Sequence, residues 1–207
     1  MEKDYKITRE KFFDLQERKA IMKTCESFAI ADLAKGNTTW PIRYMLVHLA
    51  LNSGLRVSEI AALKIADLVF SKKEPYLTVR NGDGDKKRDV YIDRKLTKHL
   101  QAFIHQKRNW NQSVEPEAPL FSGQGGRHST TTTLYISFKQ AVRKAGLRDD
   151  LSIHSARHSY ATLLYYKTKD LREVKKQLGH SSLDMTSLYA DIMPEEQSRL
   201  ANKILDD

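Results

Sequence analysis

Two neighbouring stretches decide the reading of this chain: Ser152-Ile153-His154-Ser155-Ala156-Arg157-His158-Ser159-Tyr160-Ala161-Thr162, followed by Leu178-Gly179-His180-Ser181-Ser182. The first has the pattern of a helix running from His154 to Tyr166. On such a helix His154 and Arg157, three residues apart, share a face and can aim at one ligand group, while Leu163 and Leu164 anchor the helix to the core. In the second stretch a histidine follows a helix-ending glycine, and the serines after it are suited to cap the next helix. Nine residues separate His180 from Tyr189, a spacing that would put them on opposite sides of one uninterrupted helix. The break over 179–182 removes that obstacle and lets both face one pocket.

Working outward from this region, helical periods dominate. Thr8 is the expected N-cap of a first helix carrying Glu10 in its first turn and Phe12, Leu15, Met22 and Phe28 at helical spacings, ended by Gly36-Asn37. A second helix is expected from Pro41 to Asn52 and is stopped by Ser53-Gly54, since glycine accepts the left-handed geometry that follows many helices. Arg56-Val57-Ser58-Glu59 then opens a short helix through Leu63, which places Arg56 at a tight corner between two apolar segments. The middle of the chain changes period. Tyr76-Leu77-Thr78-Val79-Arg80 and Asp89-Val90-Tyr91-Ile92 read as strands of a β-hairpin whose turn spans Asn81 to Asp85, with Lys86, Lys87 and Arg88 at its tip or on its returning strand. Further helices are expected over 95–110, 130–144, 171–178, 183–189 and 195–205. There is no internal repeat, so the fold class is mainly α with a small antiparallel β-sheet.

Composition bounds the function. The 207 residues carry 35 Lys and Arg against 26 Asp and Glu, a formal charge of +9. A surplus of that sign makes a polyanion the default partner. The single cysteine, Cys25, excludes an intramolecular disulfide framework and any multi-cysteine zinc site, and fits a reducing compartment. It lies in a helical pattern as a buried small hydrophobe. No stretch approaches the roughly 20 apolar residues of a membrane span, and the expected location is the cytoplasm. His154 and His158 have the i,i+4 spacing of helical metal ligands but lack a Glu or Cys partner in the pattern, so no metal is expected. His48 is expected in the core, and His99, His105 and His128 at the surface. Tyr160, Tyr165 and Tyr166 read as core or interface aromatics. Lys167, Lys169, Arg172, Lys175 and Lys176 form a basic run that is either a solvated face or a surface for a polyanion.

Taken in order, Gly54-Leu55-Arg56-Val57-Ser58-Glu59, the His154–Thr162 stretch, Leu178-Gly179-His180-Ser181-Ser182 and Tyr189 resemble the signature of the tyrosine recombinase (phage integrase) family. The match runs from Thr8 to Ile192. Arg56 and Arg157 lie 101 residues apart, and Arg157 and His180 lie 23 apart.

The resemblance implies cleavage and rejoining of duplex DNA without ATP or metal. Tyr189 would attack the scissile phosphate, forming a 3′-phosphotyrosine bond and releasing a 5′ hydroxyl. Arg56 and Arg157 would stabilise the charge on the non-bridging oxygens, and His154 and His180 would donate hydrogen bonds to the phosphate, with His154 also a candidate for proton transfer. Glu59 would orient Arg56. In one respect the sequence departs from the family pattern. The hairpin lysine that protonates the leaving oxygen usually sits where this chain has Asp83, which leaves Lys86 as the candidate and Lys87 as the next. Lys87, Arg88, Lys175 and Lys176 are expected to contact DNA. A single catalytic domain is expected over 1–207, with its core at about 8–192 and a C-terminal helix or tail over 194–207, and with the helical clamping (core-binding) domain of most relatives absent. Its partners would be duplex DNA and further copies of itself in a synaptic tetramer, the isolated chain being a monomer. The rival functions are strand relaxation of the type IB topoisomerase kind and a chemically silent DNA-binding accessory protein.

Overall fold

The computed structural model describes residues 12–80 and 87–179. Seven helices and one three-stranded antiparallel sheet make up this part: α1 (Leu15–Ala34), α2 (Thr39–Ser53), α3 (Val57–Ala62), β1 (Leu68–Val69), β2 (Tyr76–Arg80), β3 (Lys87–Tyr91), α4 (Arg94–Asn109), α5 (Thr131–Lys144), α6 (Ile153–Thr168) and α7 (Leu171–Leu178). The mainly helical class with a small sheet is as expected. The expected helices over 183–189 and 195–205 lie outside the described residues.

Helix α2 occupies the centre, in contact with α1, α4, α5 and α6. Its sequence explains that position. Met45, Leu46, Val47, Leu49, Ala50 and Leu51 are buried on every side of the helix, and a helix that is apolar all round can be satisfied only inside a ring of other elements. Each large side chain in this run contributes about 1.5–3 kcal/mol by leaving water. The helix begins at Thr39, two residues ahead of the expected start, with Pro41 in its first turn, where a missing N–H costs no hydrogen bond.

The first helix starts later than the apolar spacing suggests. Thr8 and Glu10 lie outside the described residues, and the cap is Asp14. Its carboxylate accepts a hydrogen bond from the Glu17 amide at 2.7 Å, while the Asp14 amide donates back to the Glu17 carboxylate at 2.9 Å. This reciprocal pairing is a capping box. Phe12 and Phe13 therefore precede the helix, and both are buried. The Phe13 amide donates to Ser159 Oγ at 2.7 Å and its ring meets Phe138 edge-on, while Phe12 packs with Ala161, Val174 and Leu178. The entering chain thus ties α5, α6 and α7 together.

In the sheet, Leu77 pairs with Val90, and Val79 with Arg88. Leu77, Val79 and Val90 are buried while Lys87, Asp89 and Tyr91 face outward, the alternation that a half-buried strand requires. β1, two residues long, pairs with β2 on its other edge. Asp67, just before β1, is almost fully buried and accepts from Arg80 Nε at 2.8 Å and from the Lys64 amide at 2.9 Å. The long connection from α4 to α5 is pinned rather than loose: the Leu120 amide donates to the Leu63 carbonyl at 2.8 Å, and buried Lys107 donates to Gln112 Oε1 and Ser122 Oγ.

Cys25 is fully buried, and its thiol pKa is pushed up to about 12 by burial. His99 is not the surface residue expected of it: its ring packs 4.4 Å from that of Tyr44 and its Nδ1 lies 2.8 Å from Nδ1 of His48. It stands on the flank of α4 beside the buried Leu96, Leu100 and Phe103, and that flank faces α2.

Candidate active site

The site is built on the corner between α2 and α3. Gly54 ends α2 in the left-handed region, with φ +66. A Cβ there would come within 2.4 Å of Tyr160 and 2.8 Å of Leu178, so both the backbone geometry and the close approach of α6 and α7 demand glycine. Arg56 follows in an extended conformation as the residue capping α3. Its amide donates to Glu59 Oε2 at 2.7 Å and its Nη1 to Glu59 Oε1 at 3.1 Å. Its side chain as a whole is 41% exposed.

Glu59 is the hub. Its side chain is 8% exposed, and besides Arg56 it binds the fork of Arg88, Nη1 to Oε1 at 2.9 Å and Nη2 to Oε2 at 3.0 Å. Arg157 Nη1 stands 3.8 Å from Oε2. Burial pushes the Glu59 pKa upward, but the Arg88 hydrogen bonds, the Arg56 amide and the charges of Arg88 and Arg157 outweigh it and hold the carboxyl below its usual value. It is therefore an anion at neutral pH. Three guanidinium groups around one carboxylate leave a local charge of about +2, which favours a phosphate at the open side.

Arg157 comes from the second turn of α6. Its guanidinium is turned inward, donating from Nη1 to the Gly54 carbonyl at 2.6 Å and from Nη2 to the Leu178 carbonyl at 2.9 Å. One side chain thereby joins the end of α2 to the end of α7. Both carbonyls belong to helix C-termini, whose partial negative charge suits a cation. His154, one turn earlier on α6, is exposed, with its ring 6.4 Å from that of Tyr135 on α5. The structure thus brings Arg56, Glu59 and Arg157 together and puts His154 on the same helix as Arg157, turned toward solvent. His180, Tyr189 and Lys86 lie outside the described residues, although α7 ends at Gly179 with φ +65, the helix stop expected just before His180.

The basic residues divide. Lys87 and Lys176 are exposed and Lys175 is half-buried; Lys176 reaches across the sheet edge to within 5.9 Å of the Tyr91 ring centroid. Arg88 departs from the expected DNA contact. Its side chain is 12% exposed, and its donors are taken by Glu59 and by the Gln177 carbonyl, Nε to O at 3.2 Å. Gln177, which sequence reasoning passed over, is buried on α7 and accepts from the Tyr91 amide. The strand alternation carried the signal for Arg88: it shares a face with Val90, and that face is inward. No local pattern marks Gln177. Among the described residues, no group of three or more His, Cys, Asp or Glu side chains is arranged to hold a metal ion, and no helix is long and apolar enough to cross a membrane.

This architecture is shared with solved tyrosine recombinases. A XerH site-specific recombinase, in a post-cleavage complex with palindromic difH substrate, superposes with a TM-score of 0.76 at 25% identity over 95% of this chain and 53% of that one. A XerA recombinase shares the fold at a TM-score of 0.75 and 22% identity, over 97% of this chain and 66% of that one. The phage integrase family pattern matches residues 11–196, and the chain belongs to that family. A tyrosine recombinase of Pseudothermotoga lettingae is 32% identical over 78% of this chain and 54% of its own length, and the tyrosine recombinase XerA of Pyrococcus furiosus is 31% identical over 72% and 49%. The chain spans about half the length of the curated relatives it matches.

Proposed function

We propose that the chain is the catalytic unit of a site-specific recombinase, cutting and rejoining duplex DNA through a phosphotyrosine bond at Tyr189. The observation that carries this reading is the Glu59 hub, which holds Arg56 and Arg88 and lies beside Arg157 at the mouth of the α2–α3 corner. In this mechanism the Tyr189 oxygen attacks phosphorus as its proton departs, with His154 as the candidate acceptor. Arg56 and Arg157 offset the charge that builds on the non-bridging oxygens, and His180 donates a further hydrogen bond to them. The bond from phosphorus to the 5′ oxygen then breaks, and that oxygen takes a proton from Lys86, or from Lys87 if Lys86 does not reach. Rejoining is the reverse, with the 5′ hydroxyl attacking and the phenolate leaving.

The phosphotyrosyl ester conserves the energy of the broken phosphodiester and the guanidinium groups answer its charge, so the reaction proceeds without ATP or added metal. Lys87, Lys175 and Lys176 contact the DNA backbone, and copies of the chain assemble on paired sites as a tetramer. In this reading, 1–207 is one catalytic domain acting on DNA in the cytoplasm.

The test uses nicked suicide duplexes taken from the DNA flanking the chain's own gene, with denaturing electrophoresis and chelator present. A covalent adduct is expected from the natural chain and none from Tyr189→Phe. Arg157→Ala is expected to lower adduct formation by at least 100-fold while weakening DNA binding only a few-fold, since the arginine acts on charge that develops in the transition state. Binding without any adduct would favour the silent accessory protein. Adducts accompanied by plasmid relaxation but no exchange of partners would favour the topoisomerase.

A further inference from the structure

We infer that Arg88 is a positioning residue of the strand-transfer reaction, acting through Glu59 to set Arg56 and Arg157, and not a contact to the DNA backbone. This deepens the recombinase reading and rests on it. Three observations converge on Arg88. Its two terminal nitrogens grip both oxygens of the Glu59 carboxylate, 29 residues away in sequence, so the carboxylate plane is fixed by a fork and not by a single bond. Its third donor, Nε, reaches the Gln177 carbonyl in the last turn of α7. The third observation is Gly179, which lies flat against the guanidinium: a Cβ there would sit 2.8 Å from Cζ, Nε and Nη1.

These contacts make one side chain the meeting point of three parts of the site. Strand β3 carries Arg88 and begins at Lys87, the residue after Lys86 in sequence. Helix α3 carries Glu59 behind Arg56. Helix α7 ends at Gly179, immediately before His180. Gln177 reinforces the same junction, accepting from the Tyr91 amide on β3 and donating to Glu173 on its own helix. All three nitrogens of the Arg88 guanidinium are engaged, two by the Glu59 carboxylate and one by the Gln177 carbonyl. Without Arg88, Glu59 keeps only its bonds to Arg56 and the more distant Arg157, and is free to rotate toward either. The placement of Arg56 would then be lost, and the carboxylate charge that faces Arg157 would shift, even though neither arginine was altered.

The test compares Arg88→Gln, Arg88→Lys, Glu59→Gln and the Arg88→Gln/Glu59→Gln double variant with the natural chain, using the same suicide duplexes. Adduct formation is read at saturating DNA, binding is read across a salt series, and all rates are taken well below each variant's melting temperature. Arg88→Gln is expected to slow adduct formation roughly 10- to 100-fold, the range for partners that orient a functional group, with the salt slope of binding unchanged. Arg88→Lys recovers part of the rate. The double variant is no slower than the slower single, because both act on one unit. Three outcomes overturn the assignment: a natural rate in Arg88→Gln, a salt slope reduced by about one with cleavage intact, or single effects that multiply in the double variant. A natural chain that forms no adduct overturns the recombinase reading itself, and the assignment falls with it.

Discussion

His48 and His99 share one hydrogen bond between two Nδ1 atoms 2.8 Å apart, so one ring donates and the other accepts. Their pKa values are each pushed down to about 4, by burial first. For His48 the nearby Asp93 opposes the shift while Arg18 and Lys95 add to it, and for His99 the second cause is His48. Tyr44 closes the cluster against both rings. Unfolded histidines take up protons near pH 6.5. Between pH 6.5 and 4 the unfolded chain therefore binds protons that the folded pair refuses, and stability falls as pH falls. The expected loss is roughly 2 to 4 kcal/mol for the pair by pH 5, read as a drop in urea midpoint. His48→Gln/His99→Gln should flatten the profile over this window, and an equally steep profile in that variant would show that other groups are responsible. Spacing alone could not find this pair, because His48 and His99 meet only when α2 packs on α4.

At the scale of elements, the α2–α3 corner was the most legible part of the chain. Gly54 announced a helix stop and Arg56-Val57-Ser58-Glu59 announced the next start, since a local backbone conformation is written in local residues. The start of α1 was harder to place because Phe12 and Leu15 have a helical spacing that the Asp14–Glu17 capping box overrides. β1 was missed for a different reason: two residues show no period, and its pairing with β2 is a tertiary fact. In the site, Arg56, Glu59 and Arg157 were legible through motif context, whereas the inward turn of Arg88 lay in the alternation of β3. The corner also yields a paired prediction. Gly54→Ala incurs both left-handed strain and collision with Tyr160 and Leu178, together about 2 to 5 kcal/mol. Gly36→Ala, at φ +74 with nothing within 4 Å of a Cβ, incurs the strain alone, about 1 to 2 kcal/mol. Urea unfolding of the two variants separates these contributions; equal losses would mean that α6 and α7 yield freely at the corner.

Over the whole molecule, a ring of helices around α2 supports a site assembled from pieces distant in the chain. The Arg157 bond to Gly54 spans 103 residues, and the Arg88 bond to Gln177 spans 89. Helical turns close within microseconds or less, but contacts of such long range must first overcome loop-closure entropy and form late. After dilution from urea, helical circular dichroism should therefore recover before the capacity to form a DNA adduct, and simultaneous recovery would show that the helices themselves wait for the long-range bonds. The order has a consequence during synthesis. Until residues 177–179 have left the ribosome and met Arg88 and Arg157, the Arg56 corner lacks the partners that shape it, so under the proposed recombinase function an incomplete chain carries positive charge toward DNA without the means to cut it.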